Sequence, residues 1–109
     1  MVLNKADMLD ELLTEFVNTG ITGATILDST GMARVLKNHE GEANFDFLRL
    51  LSNYLNPERK RNKTILMVLK EEQVQTVIDV TNKTLGGFKD KDSGILFTLP
   101  LDYVQGIGE

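Results

Sequence analysis

The chain has 109 residues, 41% of them hydrophobic and 26% charged, with a formal net charge of -4, no cysteine, no tryptophan and one histidine. That suits one domain with one modest core, and it excludes disulfide staples, thiolate chemistry and a histidine-rich metal site. The acidic balance disfavours nucleic acid as a partner, no apolar run approaches the roughly 20 residues that span a bilayer, and Met1 leads into a charged segment without signal-peptide organisation, so a cytoplasmic protein without membrane insertion is expected.

Residues 1–3 have the look of a strand end, with Asn4 placed to cap a helix over residues 5–18. In that helix Met8, Leu9, Leu12, Leu13, Phe16 and Val17 recur at helical spacing, and Asn18, Thr19 and Gly20 close it. A second strand follows over residues 24–29, ended by Ser29, Thr30 and Gly31.

Roughly thirty residues then separate this strand from the next, far beyond the usual connection of about 4–6 residues. Within that excursion residues 38–43 are polar, whereas Phe47, Leu48, Leu51, Tyr54 and Leu55 fall on one helical stripe that Asn56 and Pro57 stop. A short amphipathic helix over residues 44–55 is expected. Its stripe serves either to cap the core of the assembly or to bind a partner through Phe47, Leu48, Leu51 and Tyr54.

The second half repeats the order of the first: a strand over residues 64–69, a helix over Glu71–Leu85 with Val74, Val77, Ile78, Thr81 and Leu85 on one stripe, and a strand over residues 94–99. Met1-Val2-Leu3 and Met67-Val68-Leu69 occupy equivalent places, but Thr64, Ile65 and Leu66 precede only the second phrase. The first strand is therefore short. Either translation begins upstream, or the protein tolerates a stub.

Two βαβ units imply an α+β fold, a ferredoxin-like βαββαβ sandwich with a four-stranded antiparallel sheet and both helices on one face. Residues 1–109 form the single domain, with residues 32–61 as the insertion. Ile26, Ile65, Met67, Leu69, Ile95 and Phe97 supply more apolar strand surface than two helices cover, so self-association is expected.

The order and spacing of several phrases resemble the P-II nitrogen regulatory superfamily over nearly the whole chain. Asp28-Ser29-Thr30-Gly31-Met32-Ala33-Arg34 is similar to the exit into that family's T-loop, residues 86–93 followed by Gly94-Ile95-Leu96-Phe97-Thr98-Leu99-Pro100-Leu101 resemble its B-loop and fourth strand, and Ile107-Gly108-Glu109 resembles its end. The resemblance implies a non-catalytic homotrimeric regulator. Its T-loop would reach a partner such as a transporter or enzyme, and adenine nucleotides would bind between subunits.

Against the family pattern, the T-loop glutamine falls at Val35, the B-loop lysine at Ile95 and two arginines at Gly106 and Gly108. Three cations are thus missing from the phosphate cradle, each supporting charge-assisted hydrogen bonds of roughly 1.5 to 3 kcal/mol. The usual ATP and 2-oxoglutarate chemistry is not expected. The candidate ligand is an adenine nucleotide or another small phosphate compound, held at Gly31, Arg34, Gly86, Gly87 and Gly94, with Arg34, Arg61, Lys63, Lys89 and Lys91 as substitute cations.

Other chemistry is weaker. Arg59, Lys60, Arg61 and Lys63 suit a solvated loop better than a nucleic-acid contact, and His39 beside Glu40 and Glu42 makes a poor ligand set. Asp28 suits a turn rather than acid-base catalysis, which needs paired titratable groups. The alternative to a ligand-responsive regulator is a structural trimer of the same fold, with its loop helix packed on the assembly.

Overall fold

The computed structural model describes residues 1–32, 62–88 and 94–106. The expected helix over residues 44–55, the basic cluster at residues 59–61, His39, Arg34 and Val35 lie outside the described residues. The elements in chain order are β1 (Val2–Leu3), a 3-10 turn (Ala6–Met8), α1 (Leu9–Asn18), β2 (Thr25–Ser29), β3 (Asn62–Leu66), α2 (Glu71–Leu85) and β4 (Gly94–Ile95). They build a four-stranded antiparallel sheet in the order β2-β3-β1-β4. This is the expected ferredoxin-like arrangement.

Side chains alternate across each strand, so the burial of Leu3 and Ile65 identifies the helix-facing side of the sheet. Leu3, Leu12, Phe16, Ile21, Ile65, Val77 and Leu85 form the core, with Met8, Leu9, Leu13, Met67, Leu69 and Phe88 packed around them. Complete burial of each Leu, Ile or Phe contributes about 1.5–3 kcal/mol, before the entropy of ordering it is set against it.

α2 has the predicted bounds. The backbone N–H of Lys70 donates to Gln73 Oε1 at 3.0 Å to open it, and Gly86, at φ 75° and ψ 25°, closes it in the left-handed region. α1 starts later than its periodicity suggested. No side chain caps its start, and Met8 N–H bonds to Lys5 O in a tighter i to i+3 turn, so residues 6–8 are 3-10. It ends as expected: Gly20 takes φ 89°, Ile21 N–H donates to Phe16 O at 2.9 Å, and Thr19 Oγ1 donates to the Phe16 carbonyl at the same distance. Val17, expected on the buried stripe, is instead exposed, because α1 meets the core through Leu12 and Phe16.

Two strands are shorter than predicted. β3 was expected to run to residue 69 and β4 to residue 99; they end at Leu66 and Ile95. β1 lies between them and pairs Val2 with Thr64 and Ile95, and Leu3 with Lys63 and Gly94. Its last rung is Met1, whose carbonyl accepts the Ile65 N–H at 2.7 Å. On the other flank β2 begins at Thr25, opposite Leu66. Residues 67–69 lie past the last β2–β3 rung, Thr25 with Leu66, and residues 96–99 past the last paired β1–β4 rung, Val2 with Ile95.

Of the six strand residues expected to exceed what two helices cover, Ile65 is buried, and Met67 and Leu69 pack on the core. Ile26, Ile95 and Phe97 remain exposed, together with Leu27, Leu66 and Val68. Leu27, Thr64, Val2 and Ile95 form one cross-strand row on the face away from the helices. In the C-terminal segment Leu99, Leu101 and Tyr103 are exposed as well.

Candidate functional site

The long excursion leaves and re-enters the sheet at its outermost β2–β3 rung, Ser29 opposite Asn62. Three side-chain bonds knit that base together. Thr64 Oγ1 donates to Ser29 Oγ at 2.7 Å, Ser29 Oγ donates to the Asn62 carbonyl at 3.3 Å, and the Lys63 ammonium pairs with the Asp28 carboxylate. Asn62 is buried, and its amide nitrogen is the nearest neighbour of a β-carbon built on Gly31. The Asp28–Lys63 pair joins residues 35 apart in sequence, so only the register reveals it.

The second group lies at the end of α2. The N–H groups of Gly86 and Gly87 both donate to the Asn82 carbonyl, the latter at 3.0 Å, and so cap the helix. Gly86, Gly87 and Phe88 then take positive φ in succession, at 75°, 76° and 56°. Phe88 packs on the core, and its ring carbon Cε1 lies 3.0 Å from where a β-carbon on Gly94 would sit. Gly94 itself, at φ 150°, is pressed against the Val2 carbonyl.

The predicted ligand residues therefore fall into two groups. Asp28, Lys63, Leu3 and Gly94 share one row across the sheet, so both groups lie at the same end. They sit at opposite edges, about three strand spacings or ~14 Å apart. Gly31 belongs with β2 and Asn62, while Gly86, Gly87 and Gly94 belong with Phe88. Arg34, Lys89, Lys91 and Arg61 lie outside the described residues, as do Phe47, Leu48, Leu51 and Tyr54. Sequence reasoning passed over Phe88, whose sole clue was the glycine doublet before it.

The family model for nitrogen regulatory protein P-II matches residues 1–108. The chain belongs to the P-II family. Comparison with curated proteins and with solved structures gave no significant match. The P-II match and the antiparallel α+β fold agree with each other, and membership makes this chain a nitrogen regulatory signalling protein. Among the described residues no helix is long and apolar enough to cross a membrane.

In this P-II protein the Lys63 ammonium pairs with Asp28, and the N–H groups of Gly86 and Gly87 are engaged at Asn82. No group of three or more His, Asp or Glu that could hold a metal ion occurs among the described residues.

Proposed function

We propose that this P-II protein is a non-catalytic, cytoplasmic regulator that works as a homotrimer and contacts a partner protein, such as a transporter or enzyme, through the excursion after β2. The observation that carries the reading is the family match over residues 1–108 on a subunit with an uncovered apolar sheet face. Among the described residues Leu27, Leu66 and Ile95 on that face stay about half exposed, and a second and third copy would remove this surface from water.

The ligand in this reading is a small phosphate compound of lower charge than ATP, such as an adenosine monophosphate. It lies in the cleft between subunits, against the side-chain-free backbone at Gly31 of one copy and at Gly86, Gly87 and Gly94 of the next, with Arg34 as its cation. Regulation follows by population shift: a ligand that meets the base of the excursion in one conformation favours that conformation by its differential affinity, and the partner reads the result. The knitted base at Ser29, Asn62 and Thr64 transmits the change, because both ends of the excursion are tied to one rung.

Native mass spectrometry of the purified protein, alone and with ATP, ADP and AMP, tests this reading. A trimer that retains AMP supports it. A trimer that takes no nucleotide shifts the reading to the structural module, and a monomer overturns the assembly.

A further inference from the structure

β2 is an edge strand, with β3 as its one neighbour among the described residues. A strand's register is ordinarily set by burying one of its faces or by the length of the turn that joins it to its neighbour. Neither applies to β2. Thr25, Ile26, Leu27 and Asp28 are all exposed, and Ile26 at 40% and Leu27 at 48% lie on opposite faces with nearly equal burial. The connection to β3 spans roughly thirty residues. The entropy of closing so long a loop grows with the logarithm of its length, so a shift of two residues meets almost no resistance from it.

What singles out the observed register is polar and confined to one end of the ladder. Asp28 stands opposite Lys63 and pairs with its ammonium. Ser29 stands opposite Asn62, donates to its carbonyl at 3.3 Å and accepts from the diagonal Thr64 hydroxyl at 2.7 Å. Successive residues of a strand face opposite ways, so one of these links lies on each face of the ribbon. A slip of one residue turns the partners of both links to the wrong face. A slip of two keeps the faces but sets either Asp28 opposite the buried Ile65 or Leu27 opposite the buried Asn62, and parts Asp28 from Lys63 in both directions.

We propose that these links, Asp28–Lys63 on one face and Thr64–Ser29–Asn62 on the other, are the register lock of the β2–β3 ladder and so fix the point at which the excursion leaves the sheet. Without them, two residues of slip would carry Gly31 about 7 Å along β3 from its place beside the Asn62 amide, and a partner would meet a differently built base. The lock specifies pairing more than it stabilises: a partly exposed ion pair contributes little, and register is the best-attested use of a buried polar residue such as Asn62. It involves no ligand, so it goes beyond the function proposed above and holds whether or not a small molecule binds.

The test compares wild type, Ser29→Ala, Lys63→Met, the double variant and Thr81→Ala by exchange NMR, with Thr81→Ala weakening the core without touching the ladder. Backbone NOEs between Leu27 and Thr64 report the observed register. Those between Leu27 and Asn62, or Leu27 and Leu66, report a slip of two. The double variant is expected to raise the slipped population about tenfold over wild type, as a second set of β2 amide signals in exchange with the first. Each single variant should raise it less, and Thr81→Ala should leave it unchanged. A double variant that keeps the Leu27–Thr64 NOE without a second set overturns the proposal. So does one that loses β2 pairing without gaining a slipped partner, since the links would then hold the strand and not its register. An equal rise in Thr81→Ala overturns it as well. Should the double variant fail to fold, the single variants decide, and no slipped signal in either overturns the lock.

Discussion

Met1 and Ile65 close the central ladder with two hydrogen bonds: the Ile65 N–H donates to the Met1 carbonyl at 2.7 Å, and the Met1 ammonium donates to the Ile65 carbonyl at 2.9 Å. The ammonium therefore sits partly buried at the middle of the sheet, and desolvation pulls its pKa below the ordinary value near 8.0.

A pH dependence follows for the chain that starts at Met1. The unfolded chain binds this proton more tightly than the folded one, so stability is lower while the amine is protonated in both states. It rises as pH climbs through the lowered folded-state pKa towards 8.0, and is level above that. Urea midpoints between pH 6 and 9 should show this rise. Acetylating the amine should abolish it.

Gly94→Ala should be among the most damaging single-methyl changes in the protein. Its β-carbon would overlap the Val2 carbonyl oxygen and crowd the Phe88 ring, at a φ that L side chains rarely adopt. Backbone strain and overpacking together predict a loss of about 2–4 kcal/mol. Gly20→Ala is the control: at φ 89° with nothing within 4 Å, it carries only the left-handed cost of roughly 1–2 kcal/mol. Equal denaturation midpoints for the two variants would contradict the close approach of Gly94 to β1.

Thr81 is fully buried in α2 with a hydroxyl that has no hydrogen-bond partner. Thr81→Val keeps the shape and removes the orphaned group, so it should stabilise by about 1 kcal/mol. Thr81→Ala should not, since it trades the hydroxyl for a cavity among Val77, Leu85 and their neighbours. Thermal unfolding of the pair decides this, and a lower melting temperature for the valine variant would mean the hydroxyl is bonded.

Ile95→Glu and Leu27→Glu should break the assembly and leave the subunit folded. Both side chains are about half exposed in the subunit, 55% and 48%, so a carboxylate there meets water in the monomer and would meet a desolvated apolar interface in the proposed trimer. Sedimentation should show monomers, with circular dichroism close to wild type. A trimer that survives both changes would place the interface elsewhere.

The limits of α2 could be read from its own residues, because a helix is made of contacts three and four positions apart and its stop signal, Gly86, is local. The same held for the close of α1 at Gly20. The start of α1 could not, since Asn4 offers a cap by type but makes no capping bond there. At the candidate site the sequence marked Gly31, Gly86, Gly87 and Gly94 as places where a ligand could approach the backbone; the structure shows Gly94 close to the Val2 carbonyl and nothing within 4 Å of a β-carbon built on Gly86. That Gly86 and Gly87 direct their N–H groups to Asn82 was not legible.

By itself, then, the chain determined the alternation of elements, the faces of its helices apart from Val17, the family and the length of the excursion, all of which rest on short-range periodicity and order. Tertiary structure alone decided where β3 and β4 stop, which cation Asp28 holds, and that Phe88 lies on Gly94. A strand persists only where a neighbour offers the next rung, and the neighbours here lie tens of residues away along the chain. Their register was set by packing Leu3 and Ile65 beneath the helices, which no local pattern encodes.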